Sequence, residues 1–123
     1  MERVSWIEHK GKSILYINYS GLSARKDKDL LLEIIEEVKK QAFEKQSKSL
    51  FLTNAKDAYT DSFILSKLKE AAKFCNDNDL VEKECIVGLG GLKKAFIRII
   101  NTFAKSTLIM FKDLDEAKDW LVE

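Results

Sequence analysis

The run VGLGGLKKAFIRIINTFAK, residues 87–105, gathers the residue types that hold phosphate. A short apolar strand runs into Gly88, Gly90 and Gly91, and the helix that follows opens with Lys93 and Lys94, with Arg98 one turn on. Backbone N–H groups at a helix N-terminus point at an anion, and the helix dipole favours its charge. The spacing is neither G-x-x-x-x-G-K-[ST] nor G-x-G-x-x-G, and the loop follows a late strand without the rest of a nucleotide motif. The same glycines also suit a sharp strand-to-helix turn with close packing, since they lack a Cβ. Two readings stand: an anion site at Gly88, Gly90, Gly91, Lys93, Lys94 and Arg98, or a tight turn beside a solvated basic face.

Nucleophilic or metal chemistry finds less material. His9 is the single histidine and sits beside a hairpin turn, where exposure is expected. Cys75 falls on the inward face of a helix and Cys85 begins an apolar strand, so both read as small core residues. Asp57, Asp61, Asp77 and Asp79 are loop or cap acids without partner motifs, and no cluster has metal-ligand spacing. No enzyme and no cofactor are expected. Trp6 and Trp120 lie in apolar patterns and are expected to pack on the core.

The 123 residues fit one domain, 1–123, large enough for a core without disulfide or metal staples. With 21 basic and 20 acidic residues the net charge is +1, which argues against a nucleic-acid partner, because neutralising phosphates takes a basic excess. Two cysteines make no disulfide framework, the charged start MERVSWIEHK is no signal peptide, and no apolar run approaches a membrane span. A soluble cytoplasmic protein with reduced thiols and no transmembrane segment is expected.

These residues are positioned by elements whose periods are plain. RVSWIEHK and SILYINYS read as strands joined by a tight turn at Gly11. Leu31, Ile34, Ile35, Val38 and Ala42 then share one face of a helix of about five turns. SLFLT is a buried strand, and TDSFILSKLKEAAKFC is a helix with Thr60 as its expected N-cap and Ile64, Leu68, Ala71, Ala72 and Cys75 inward. ECIVGL is the next strand. The helix after the glycines is expected to turn Leu92, Ala95, Phe96, Ile99 and Phe103 inward. TLIMF is the last strand, and Asp113 and Glu116 have capping-box spacing before the final helix. The order β-β-α-β-α-β-α-β-α implies an α/β fold: one mixed, mostly parallel five-stranded sheet with an N-terminal antiparallel hairpin and four helices.

The third helix carries more apolar residues than one sheet face needs. Ile97 and Ile100 widen the arc begun by Leu92 and Phe96, and the surplus belongs in a pocket, in a subunit interface or deeper in the core.

The second half of the chain resembles the SpoIIAA-like family, relatives of STAS (sulphate transporter and anti-sigma-factor antagonist) domains. Val87, Gly88, Gly91, Leu92, Lys94, Asn101, Phe111, Glu116, Ala117, Trp120 and Leu121 carry the likeness, and ILYINYSGL matches the family's strand into Ser-Gly. The resemblance implies a SpoIIAA/STAS-like fold and a non-catalytic domain that binds partners; together with the glycine loop and the wide apolar arc of the third helix, the expected partner is a protein, a second copy in a homodimer, or a small anionic ligand. Antagonists of this kind are switched by phosphorylation at a helix start, which points to Thr60 or Ser62, although here the loop is longer and lacks the glycine that follows in them. CRAL-TRIO domains share the broader fold and bind lipid, so the alternative is a carrier of a lipid or apolar small molecule, with Leu92, Phe96, Ile97 and Ile100 at its pocket.

Overall fold

The computed structural model describes residues 1–88, 93–105 and 107–123, with the side chains of Lys93, Lys94, Ala95 and Phe103 also outside the description. Within these residues the chain forms β1 (Val4–His9), β2 (Lys12–Asn18), α1 (Lys28–Lys45), β3 (Ser49–Asn54), α2 (Ser62–Asp77), β4 (Val81–Val87), α3 (Lys93–Ala104), β5 (Ile109–Phe111) and α4 (Leu114–Val122). All five strands join one sheet in the order β1-β2-β3-β4-β5, with β1 antiparallel to β2 and the rest parallel. This is the architecture that the alternation of periods predicts.

The β1–β2 hairpin closes on Lys10 and Gly11, at φ 50° and 82°. A two-residue turn of type I′ has positive φ at both positions, which matches the twist of its strands, and Gly11 supplies one of them without strain. His9 then pairs with Lys12 and Val4 with Ile17.

Neighbouring parallel strands in sequential order admit one outcome for their helices. Each connection is a right-handed crossover stepping in the same direction, so α1, α2 and α3 fall on the same face of the sheet. Leu15, Ile17 and Phe51 meet Ile34, Ile35 and Ile64 there, in a core cluster shared with α1 and α2, and α3 lies along α2. The alternate strand residues, Ile14, Leu50, Leu52, Cys85 and Val87, point the other way and are covered by Ala117 and Leu121 of α4. The period of two along each strand thus feeds two cores.

Two details differ from expectation. The N-cap of α2 is Asp61, whose carboxylate accepts the Ile64 N–H at 2.8 Å, while the Thr60 hydroxyl turns to the Asp61 carbonyl oxygen. An ionised cap also gains from the helix dipole, which a hydroxyl does not. On α3 it is Ile100 that is buried and Ile99 that faces water, 39% exposed. The inward stripe runs through Phe96, Ile100 and Ala104, a four-residue spacing that Ile99 does not share. The cap on α4 is as predicted, with Asp113 accepting the Glu116 N–H at 2.8 Å.

At the C-terminal edge of the sheet the loops pair like short strands. Tyr19 N–H donates to the Asn54 carbonyl, Gly21 to Lys56, Tyr59 to Leu22 and Ala24 to Tyr59. Gly88 closes this edge from the other side. Its φ is +84°, and a Cβ there would stand 2.6 Å from the Lys56 backbone. Gly88→Ala is therefore expected to cost about 2–4 kcal/mol, from the left-handed backbone and the clash together. Gly21, at φ +74° with nothing within 4 Å of a built Cβ, is the control: its Ala variant should lose only about 1 kcal/mol in urea unfolding.

Candidate functional site

Between the three-helix face of the sheet and α2 and α3 lies a cavity of about 180 Å³. Its walls are Ile17, Phe51, Ala55 and Ile86 from the sheet side, Ile64, Leu68, Ala71 and Ala72 from α2, and Phe96 and Ile100 from α3. Tyr59 and Thr60 line one end and are exposed, which places the mouth at the C-terminal edge, under the paired loops. A wider depression of about 380 Å³ lies at the opposite edge, but Phe43, Gln46, Lys48 and Asp79 around it are all exposed, so it desolvates nothing.

Into the apolar cavity comes one carboxyl. Glu84 of β4 is 9% exposed and lines the cavity together with Tyr19 and Cys75. Strand alternation places it there: Glu84 pairs with Phe51 and shares its face with Ile86, while Cys85 and Val87 face α4; just upstream, Ser49 pairs with Val81 but Leu50 with Lys83, so β4 carries one extra residue. Such a bulge resets the alternation, and Val81 and Glu84 both reach the cavity while Lys83 crosses to donate to the Trp120 carbonyl at 3.0 Å. Burial pushes the Glu84 carboxyl up to about 7. The Cys75 and Cys85 thiols are pushed up to about 12, by burial first and then by Glu84. Burial also raises the Tyr19 hydroxyl. Near neutral pH, then, the thiols and the phenol are uncharged, and the carboxyl is poised between its two forms.

Of the residues singled out by sequence, Phe96 and Ile100 line the cavity, Ile97 is half-buried, and Leu92 lies outside the described residues. Gly88 is a packing glycine against Lys56; Gly90 and Gly91 lie outside the described residues, as do the side chains of Lys93 and Lys94, and Arg98 is exposed. Thr60 and Ser62 are exposed at the start of α2, beside the Asp61 carboxylate that already caps the helix. His9 is more enclosed than a hairpin residue need be. Its Nε2 stands 2.7 Å from Asp119 Oδ1, tying the hairpin to α4, and the hydrogen bonds from His9 and Lys10 hold the Asp119 carboxyl below its ordinary range. Trp6 and Trp120 are half-buried at core margins, under Lys45 and Lys83.

Sequence reasoning missed Glu84. The available signal is an acid within the run VEKECIV two residues before Ile86, and so on the same strand face as that apolar residue. It also gave Asn101 no role, whereas Asn101 clamps the α3–β5 connection, accepting the Leu108 N–H at 2.9 Å and donating to the Leu108 carbonyl at 3.3 Å. Leu108 in turn lines the cavity.

One solved structure matches this arrangement nearly end to end: an uncharacterised protein of the DUF3478 family from Shewanella loihica PV-4, described as having a SpoIIAA-like fold. The TM-score is 0.67 over 96% of this chain and 91% of that one, at 17% identity. The chain has a SpoIIAA-like fold. No protein-family model and no curated protein matches the sequence. In this SpoIIAA-like domain the described helices include none long and apolar enough to cross a membrane, and the described residues include no group of three or more potential metal ligands.

The Glu84 carboxyl makes the stability of this SpoIIAA-like domain depend on pH. Below about 4.5, its ordinary value, both folded and unfolded chains hold the proton and the contribution is fully present. Between there and about 7 the unfolded chain releases a proton that the folded one keeps, so stability falls as pH rises. Glu84→Gln should remove this slope and gain about 3 kcal/mol relative to wild type at pH 8 but little at pH 4, compared by urea unfolding at the two pH values.

Proposed function

We propose that this protein is a non-catalytic binding domain that holds a small apolar molecule in the cavity between the sheet, α2 and α3. The cavity itself carries the reading. A well-packed core leaves few voids larger than a water molecule. A dry apolar cavity of about 150 Å³ is enough to bind benzene, so about 180 Å³ suits a ligand of that order. Its mouth at Tyr59 and Thr60 lies at the carboxyl ends of the strands, open to water.

The volume narrows the alternative of a lipid carrier. Pockets for larger ligands run to about 300–1,000 Å³, so an acyl chain exceeds this one, whereas a single ring or short branched chain does not. A protein partner has less support. Among the described residues the exposed apolar side chains are dispersed, with Phe43 and Tyr59 at opposite ends of the sheet. A binding role rather than catalysis is favoured by thiols raised far above neutrality and by a His9 tied to Asp119 at the edge opposite the mouth.

The test is to fill the space. Ala72 lines the cavity from α2 and is half-buried, so Ala72→Leu places extra methyl groups where there is room. It should raise stability by about 1 kcal/mol, the order of one or two buried CH₂ groups after some strain. It should also abolish the rise in Tm that toluene gives the wild type. Equal toluene stabilisation of both proteins, or none of the wild type, overturns the reading.

A further inference from the structure

We infer that the ligand carries a hydroxyl on its apolar body, and that the Tyr19 hydroxyl just after β2 and the Thr53 hydroxyl on β3 hold it inside the cavity. The inference rests on the proposed use of the cavity and adds the chemical class of its occupant. Both residues line the cavity and both are half-buried. Thr53 pairs with Ile17, and Tyr19 follows Ile17 by two residues, so the two side chains stand on one face of the sheet. Among the described residues neither hydroxyl has a hydrogen-bond partner. No fully enclosed side-chain oxygen or nitrogen among them lacks one, so these two open onto space rather than onto packed hydrocarbon. At Tyr19 that space is not open water, since burial raises its hydroxyl above the ordinary value. The other polar groups of the wall offer less. The Thr60 hydroxyl donates to the Asp61 carbonyl at 3.2 Å, and Glu84 already has a partner within the chain. Tyr59 stands 70% exposed at the mouth, and the Cys75 thiol is a weak donor.

Unpaired polar groups decide what a cavity accepts. The large majority of buried side-chain polar atoms are hydrogen-bonded, so two hydroxyls left open in one wall call for solvent or an occupant to complete them. A hydrocarbon that fills the cavity shuts both away from water and gives them nothing, which weakens its binding. A ligand hydroxyl removes that loss. Its oxygen accepts from the Tyr19 O–H, and its own O–H donates to Thr53 Oγ1. Phe51, Phe96 and Ile100 keep the rest of the ligand in apolar surroundings. In a purely apolar cavity the order of ligands is the reverse, because there a ligand hydroxyl is stripped of water and finds no partner.

Isothermal titration of the full chain at pH 7 with toluene and with phenol, which has a hydroxyl in place of the methyl, decides it. Wild type is expected to bind phenol at least as tightly as toluene. Tyr19→Phe removes an oxygen that leaves no partner behind, so the variant should unfold in urea no earlier than wild type. It is expected to bind phenol about tenfold more weakly, while its toluene affinity stays equal or rises. Thr53→Val, which keeps the side-chain shape, should show the same pattern with a smaller loss. If a variant does not fold, the wild-type comparison decides alone. Phenol bound more weakly than toluene by wild type, or with unchanged affinity by Tyr19→Phe, overturns the hydroxyl ligand and leaves the cavity reading intact. Failure of both ligands to bind wild type overturns both.

Discussion

A right-handed crossover between adjacent parallel strands leaves its helix one face to lie on, and this chain makes three in succession without reversing direction. The rest of the structure follows from that constraint. α1, α2 and α3 crowd one face of a sheet whose strands are short, and α4 must cover the other face alone. A single nine-residue helix suffices there because it brings Ala117, Leu121 and Trp120 against Ile14, Leu52 and Cys85, with the Phe111 and Trp120 rings 5.4 Å apart. On the crowded side the last helix lies along α2, and the space enclosed by α2, α3 and the sheet is not filled to the density of a core. The cavity thus lies where the last of the three helices joins the layer.

The edge above that cavity is held by backbone rather than by side chains. The loops after β2 and β3 exchange four N–H donations, and Gly88 lets the chain after β4 approach the Lys56 backbone more closely than any Cβ permits. A frame of this kind fixes a mouth without depending on the chemistry of its side chains, so Tyr59 and Thr60 stand exposed on it. For the glycine-rich run, the described part of the answer is packing. Gly88 is required by a left-handed φ and by a backbone neighbour, which is the sort of close approach that glycine serves.

How much of this was legible in the sequence follows from the range of each interaction. Strands, helices and their order depend on local period, and the switch from two to 3.6 is clear in SILYINYS and in Leu31 to Ala42. The hairpin was legible because a two-residue turn demands positive φ. Which of Thr60 and Asp61 caps α2 depends on a one-residue difference in where the helix begins, finer than a pattern resolves. Ile99 and Ile100 exchanged roles because a helix carrying isoleucine at 97, 99 and 100 has an apolar arc too wide to show its inward direction; α2 and the sheet settle that. Glu84 was hidden most deeply. Its direction follows from alternation with Cys85, but that this strand face borders a cavity rather than a filled core depends on how α2 and α3 lie over it, which the strand's own residues do not show.

That carboxyl is also what the packing does least to explain. Glu84 lies between Cys85 and Ile86 on one side and the bulge on the other, in a face otherwise made of Ile17, Phe51 and Ile86. A valine or leucine at that position would bury without desolvation cost and would fill part of the cavity besides. Stability alone therefore selects against both the acid and the void, and the two occur together. An empty cavity loses dispersion contacts along its walls, and a desolvated acid loses its hydration. An apolar ligand in the cavity restores the dispersion contacts along those walls. Strongly perturbed acids in clefts are more often found at working sites than in inert cores, and here the perturbation has a plain cause, burial, in the wall of the cavity itself.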